Sequence, residues 1–359
     1  MRLPLHLIVI LTLFLLGGCS SQVTREGGAP EYSGTGQVRG DFANAPGVDS
    51  FIRRMQRHGF APAETAAILS RAERKPAIID LMDQQAPRRG GGGPNGAWIR
   101  YRAKFLTDDN IANGVGFWRQ NAAALERAQS RYGVPPEYVV AIIGVETRFG
   151  GFVGKTRLLD ALATLAFAYP RRAAYFTDEL EDFLIMTRDE GKDPTQLRGS
   201  FAGAMGLCQF MPSSYRQHAV DFTGDGHRDL WNPVDAIGSV ANYFKQSGWR
   251  AGEAVAVRTQ LEPGATPGAL KAGFDTRYRL EALAARGIQP ASSLGGVDQV
   301  SLLQLDTGDD YTYWLGLRNF YVITRYNHST YYAMAVHQLA QAMRARMQGA
   351  SDLRVSATW

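Results

Sequence analysis

The chain has 359 residues, 45% of them hydrophobic and 20% charged, a composition that suits one large globular domain or two to three smaller ones and excludes disorder over most of its length. Its formal net charge of +5 is modest and spread along the chain without a basic run, which argues against nucleic acid and suits a carboxylate-bearing polymer only weakly.

Met1 to Leu16 form a short basic start followed by an apolar run too short and wrongly flanked for a membrane span, and they read as an export signal. The run ends in Leu16-Gly17-Gly18-Cys19, which resembles the bacterial lipobox, where cleavage precedes the cysteine and its thiol and new amine are acylated. That resemblance implies a signal peptide over residues 1–18, a mature chain starting at lipidated Cys19, and enough acyl chains for stable membrane attachment. Ser20 follows instead of Asp, which by the same resemblance implies the periplasmic face of the outer membrane. An ordinary signal peptide with an incidental cysteine is the alternative. Once Cys19 is lipidated, Cys208 has no partner for an intramolecular disulfide, and it reads as a small buried apolar residue. Residues 19–45, rich in Gly, Ser and Pro, read as a tether.

From Val48 to Asp83 apolar residues recur at helical spacing, broken at Gly59 and Pro76, which predicts two or three short helices. Arg88 to Gly96 then reads as a flexible glycine-rich loop. One long helix is expected between Asp109 and Tyr132. The next lies between Pro135-Pro136 and Gly150-Gly151, and its run of β-branched residues is helical by length and caps. Further helices are expected over Arg157–Ala168, Ala174–Arg188 and Pro233–Gln246, the last with Asn232 as N-cap. Ala254–Leu261 and Val300–Leu305 alternate as strands do, while Asn319–Arg325 and Thr330–Gln348 return to helical spacing. The chain is therefore expected to be mainly α, of α+β class: a helical domain over 46–134 completed by 314–359, a helical core over 135–249, and a small β-containing insertion over 250–313.

Several chemistries are poorly served. Gly151-Phe-Val-Gly-Lys-Thr156 has Phe149 where a phosphate loop needs glycine, no HExxH pair offers a catalytic zinc site, and no GxSxG elbow is present. What remains is Glu146, which follows the apolar run Ile142-Ile-Gly-Val145. A carboxyl there is desolvated, which raises its pKa toward that of a general acid; a salt bridge with Arg148 or another arginine is the alternative reading. A second cluster, Gly199 to Tyr215 (GSFAGAMGLCQFMPSSY), offers close backbone approach at its glycines and neutral hydrogen-bonding groups at Ser200 and Gln209, which suits sugar hydroxyls and acetamides; a tightly packed turn is the alternative.

These two clusters, together with Tyr169–Phe176 (YPRRAAYF), Asn232–Phe244 (NPVDAIGSVANYF) and Arg325–Ala335 (RYNHSTYYAMA), closely resemble the lytic transglycosylases of the membrane-bound murein transglycosylase B family over most of residues 98–336. The resemblance implies a lysozyme-like helical core. It also implies cleavage of the β-1,4 bond between N-acetylmuramic acid and N-acetylglucosamine without water, leaving a 1,6-anhydromuramoyl end. Glu146 is then the catalytic acid and base, and no cofactor is required for the chemistry. Ser200, Gln209, Tyr101, Tyr326, Asn327 and Tyr332 match substrate-binding positions, and Arg171 and Arg172 match a cationic pair able to engage murein carboxylates. The partners implied are peptidoglycan glycan strands, the membrane through the lipid anchor, and cell-wall synthases. A hydrolytic muramidase, which needs a second carboxylate, and a non-catalytic peptidoglycan-binding lipoprotein are the alternatives.

Asp221 to Asp235 begins like an EF-hand calcium loop, with oxygen ligands at positions 1, 3 and 5 and glycine at 6, but position 12 is Asn232 where a glutamate is usual. In the family the loop is longer and its final acid stands where Asp235 does. The resemblance therefore implies a structural Ca²⁺ held by Asp221, Thr223, Asp225, the carbonyl of His227 and Asp235, with Asp229 undecided.

Overall fold

The computed structural model describes residues 36–84 and 93–349; the export signal, Cys19, most of the tether and part of the Arg88–Gly96 loop lie outside the described residues. Three short helices come first: α1 (Val48–Gln56), α2 (Pro62–Ser70) and α3 (Pro76–Gln84). Prolines open the second and third, where a missing N–H costs nothing. Then follow α4 (Ala97–Arg102), which the sequence pattern did not announce, α5 (Asp108–Gln120) and α6 (Ala122–Tyr132). The last two replace the single helix expected between Asp109 and Tyr132. Asn121, the residue between them, leaves helical geometry at φ −113°, and its side-chain amide donates to the Phe117 carbonyl, competing with the helix for that acceptor.

The central helix is α7 (Pro136–Thr147), started by Pro135 and Pro136 as expected. Val139, Val140, Ile142 and Ile143 are fully buried, so this helix is apolar on several faces because α5, α6, α11 and α14 enclose it. Each such side chain contributes roughly 1.5–3 kcal/mol through burial. α8 (Leu158–Ala168) packs on α9 (Ala173–Asp189), and the short pair β1 (Thr156–Arg157) and β2 (Arg198–Gly199) ties the two ends of that unit together. α10 (Pro212–His218) and α11 (Pro233–Gln246) complete the helical core.

The change of texture near residue 252 is a five-stranded antiparallel sheet in the order β4-β6-β7-β3-β5. Its strands are β3 (Ala256–Leu261), β4 (Tyr278–Arg279), β5 (Ile288–Pro290), β6 (Gln299–Asp306) and β7 (Tyr311–Gly316), with a one-turn helix α12 (Leu280–Ala284) between β4 and β5. β7 runs past residue 313, so the strand pattern ends directly against α13 (Arg318–Tyr326) and α14 (Thr330–Met347). Alternation along β6 explains how so small a sheet is stable: Val300 and Leu302 face a local cluster with Leu283, Ile288 and Leu315, while Leu303 and Leu305 face the main core beside Trp314. The strand β6 is thus buried on both faces, one of them against the helical body. No helix among the described residues is long and apolar enough to cross a membrane.

Candidate active site

Glu146 sits in the last turn of α7, and the chain reverses sharply after it. Arg148 and Phe149 take left-handed conformations, φ 48° and 61°, which side-chain-bearing residues seldom adopt; Gln209 is the third such residue among those described, and it too lies in the site. The reversal folds the Phe149 ring back against α7, where a Cβ on Gly144 would stand 2.6 Å from it. Thr147 pins the turn, since its hydroxyl donates to the Leu207 carbonyl at 2.9 Å and accepts from the Gly150 amide at 3.0 Å. The end of α7 is thereby fastened to the glycine-rich segment.

That segment packs backbone on backbone. A Cβ on Gly199 would stand 2.1 Å from the Ala204 carbonyl oxygen, so no larger residue fits while the Ser200 amide donates to that carbonyl and the Ser200 hydroxyl accepts from the Ala204 amide, each at 2.9 Å. Gln209 donates its side-chain amide to the Gly206 carbonyl at 2.9 Å. Cys208 is fully buried, burial pushes its thiol up, and its carbonyl accepts the Tyr326 hydroxyl at 2.6 Å. Nothing there activates the sulfur as a nucleophile.

Around Glu146 the wall is aromatic. Tyr332, buried in the first turn of α14, donates its hydroxyl to Glu146 Oε1 at 2.6 Å. Tyr326, at the end of α13, lies against Phe210 and Tyr243, and Tyr101 of α4 lies against Trp98, Phe105 and Tyr331. The hydroxyls of Tyr101, Tyr326 and Tyr332 are all pushed up, by burial first, with the negative charge of Glu146 among the further causes for each. Burial raises Glu146 to about 7, against the opposing hydrogen bond from Tyr332. Arg148 is not its counter-ion: that guanidinium stands over the exposed Phe152 ring at 5.3 Å. Asn327 is exposed at the α13–α14 junction, its carbonyl accepting from Ser329.

Two residues of this wall carry no role in the sequence reading. Tyr243 donates to the Arg325 carbonyl at 2.6 Å and so fixes the backbone just before Tyr326; it lies in the Asn232–Phe244 stretch, but an aromatic on a helix gives no separate sign of such a bond. Thr147, beside Glu146, was equally silent.

Arg171 and Arg172 belong to a different surface network. Arg171 pairs with Asp83 at 3.0 Å, which also accepts the Tyr169 hydroxyl, while Arg172 stacks over Tyr175 and Phe176. A separate cavity of about 750 Å³, lined in part by Arg250, Glu253, Arg277, Asp298 and Arg318, lies where the sheet meets α13 and includes none of the residues around Glu146.

In the Asp221–Asp235 loop, Asp221 accepts the Thr223 hydroxyl and the amides of Gly224, Asp225 and Gly226, curling the loop tightly. Asp225 accepts from His227, and Asp229 from Trp231. Asp235 is fully buried and accepts from Phe222, Thr223 and Asp229. Among the described residues no three His, Cys, Asp or Glu side chains stand together as a ready-made metal cluster. The donor set is all oxygen, which is the chemistry of a hard cation such as Ca²⁺.

One enclosed acid, a tyrosine wall and a neutral glycine-rich floor on a mainly helical body define the class: a glycan-cleaving enzyme of lysozyme-like build. Residues 43–341 match the transglycosylase SLT domain family, and the chain belongs to it. It is similar to the membrane-bound lytic murein transglycosylase B of Escherichia coli strain K12, with 56% identity covering 95% of this chain and 98% of that protein. The fold is similar to two crystal structures of the E. coli lytic transglycosylase Slt35. The complex with bulgecin A has TM-score 0.82 and 59% identity, covering 86% of this chain and 96% of that one. The calcium complex has TM-score 0.81 and 58% identity with the same coverage. The chain is an enzyme of the lytic transglycosylase class.

Proposed function

We propose that this enzyme cleaves murein glycan strands at the β-1,4 bond between N-acetylmuramic acid and N-acetylglucosamine, with Glu146 as its single acid and base. The observation that carries the reading is the state of that carboxyl: enclosed, raised to about 7, and hydrogen-bonded to a neutral phenol. Near neutral pH a large fraction is therefore protonated and able to give its proton to the glycosidic oxygen. The C1–O bond breaks, the glucosamine leaves with a new 4-hydroxyl, and positive charge develops at the muramoyl C1. The carboxylate left on Glu146 then takes the proton of the muramoyl C6 hydroxyl as O6 bonds to C1. Atoms balance without water, and the enzyme returns protonated. Burial raises the Glu146 pKa and the Tyr332 hydrogen bond opposes it; the similarity to a protein named as a lytic murein transglycosylase favours this route over a hydrolytic muramidase.

Ser200 and Gln209 present neutral groups to the sugars, with Tyr101, Tyr326, Asn327 and Tyr332 along the cleft. Arg171, whose exposed pairing with Asp83 is weak, and Arg172 meet carboxylates of murein. Asp221, Thr223, Asp225, the His227 carbonyl and Asp235 hold a structural Ca²⁺, which supplies rigidity to the loop leading into α11 and no step of the reaction. The name of the E. coli relative and the lipobox support membrane attachment through Cys19 at the periplasmic face of the outer membrane. Cell-wall synthases are partners consistent with that location.

Mass spectrometry of digested murein tests the reaction. Anhydromuropeptides are expected; reducing muramic ends would establish hydrolysis in its place, and intact murein a binding protein.

A further inference from the structure

The helix that brings Tyr101 to the cleft is held by a residue two hundred positions away in sequence, on the small sheet. Asp306, buried at the end of β6, accepts the amide of Asn95 with both carboxylate oxygens at 2.9 Å, that of Gly96 at 2.7 Å, Ala97 at 3.1 Å and Gly308 at 3.0 Å. Asn95 to Ala97 are the residues entering α4, whose first N–H groups have no partner within so short a helix. The cap residue itself, Gly96, has no side chain to satisfy them. Burial alone would raise an acid in this place, yet the four amides hold Asp306 down to about 2.

α4 is gripped on its other side by α14. Trp98, buried, lies 5.4 Å from the Tyr331 ring, and Arg102 donates to Gln338 at 2.7 Å. α14 also carries Tyr332, the partner of Glu146. Tyr101 thus stands on six residues clamped between a carboxylate of the sheet and the helix that tunes the acid.

We infer that Asp306 is a positioning residue for the cleavage reaction: through the amides of Asn95, Gly96 and Ala97 it orients α4 and keeps Tyr101 at the glycan cleft, which makes the small sheet part of the substrate-binding apparatus. The inference rests on Tyr101 acting in the cleft of a murein-cleaving enzyme. It requires a carboxylate at 306. An asparagine has the same shape but offers one acceptor oxygen and turns an NH₂ group toward amides that are themselves donors.

The test compares Asp306→Asn, Tyr101→Ala and the double variant of the full chain on purified murein. Expected is a rise in KM of about five- to tenfold for Asp306→Asn with kcat within about twofold, and no further rise when it is added to Tyr101→Ala. Amide hydrogen exchange at Asn95 to Tyr101 is expected to accelerate in the same variant without substrate. An unchanged KM, or a rise that persists undiminished in the Tyr101→Ala background, overturns the inference, because a merely structural cap lowers the folded fraction without acting through Tyr101. Where Asp306→Asn fails to fold, Asp306→Ser keeps one acceptor oxygen whose hydroxyl hydrogen can rotate away from the amides, and the same outcomes decide. A parent enzyme that releases no product from murein would sink the functional reading itself, while the exchange measurement still shows whether Asp306 anchors α4.

Discussion

Two carboxylates at opposite kinds of helix end show how one side chain is made into an acid or into an anchor. Glu146 stands in the last turn of α7, where the helix dipole is negative, with one phenol as its donor, and it is raised to about 7. Asp306 faces the first turn of α4, where the dipole is positive, with four amides as donors, and it is lowered to about 2. Burial pushes both upward; at Asp306 the four amides aimed at the charge reverse the outcome, while at Glu146 a single phenol does not.

The largest expected effect comes from removing the acid. Glu146→Gln is expected to reduce turnover of murein by roughly 10³-fold or more while glycan binding is retained, measured by product release and by calorimetric titration with glycan fragments. The same variant reports on stability with a definite sign. Because the folded-state pKa of Glu146 lies above its value in the unfolded chain, ionising it costs stability as pH rises from 4.5 to about 7. Glu146→Gln is therefore expected to be more stable than the parent by ~2–3 kcal/mol above pH 7, with the difference closing below pH 4.5. Denaturant unfolding at pH 8 and pH 4 checks it, and equal stability at both would break the contrast with Asp306.

A smaller effect is expected on removing the one donor to Glu146. Tyr332→Phe deletes a hydrogen bond that favours the carboxylate, so the alkaline limb of the pH profile of kcat/KM should move upward, by less than about one unit for a bond worth ~1 kcal/mol. A limb that stays or moves down would show that the phenol does not tune the acid.

Smallest is the effect at an exposed charge, which water screens. Arg171→Ala breaks a surface pair with Asp83 and should change stability by less than ~0.5 kcal/mol. Its affinity for glycan carrying stem peptides should fall about three- to tenfold, with little change for peptide-free glycan. An equal loss on both substrates would remove Arg171 from carboxylate recognition.

Much of this molecule is legible locally. Pro135-Pro136 and Gly150-Gly151 mark α7, and its apolar run leaves Glu146 as either a desolvated acid or the partner of an arginine, a choice that packing makes. The break at Asn121 was hidden because an asparagine within a helical pattern does not announce whether its amide turns back on the helix. α4 was hidden for another reason: six residues carry too little periodicity to be read, and what stabilises their start comes from β6.

The sequence by itself determined the elements whose signals are short-ranged: proline starts, glycine stops, apolar periods of helix and strand, and the one acid after an apolar run. Tertiary structure alone decided that Arg148 turns away from that acid while Tyr332 approaches it, and that Asp306 becomes the cap of a helix in another part of the chain. A hydrogen bond between residues 186 or 211 positions apart leaves no periodic trace, because its geometry exists only once the intervening chain has packed.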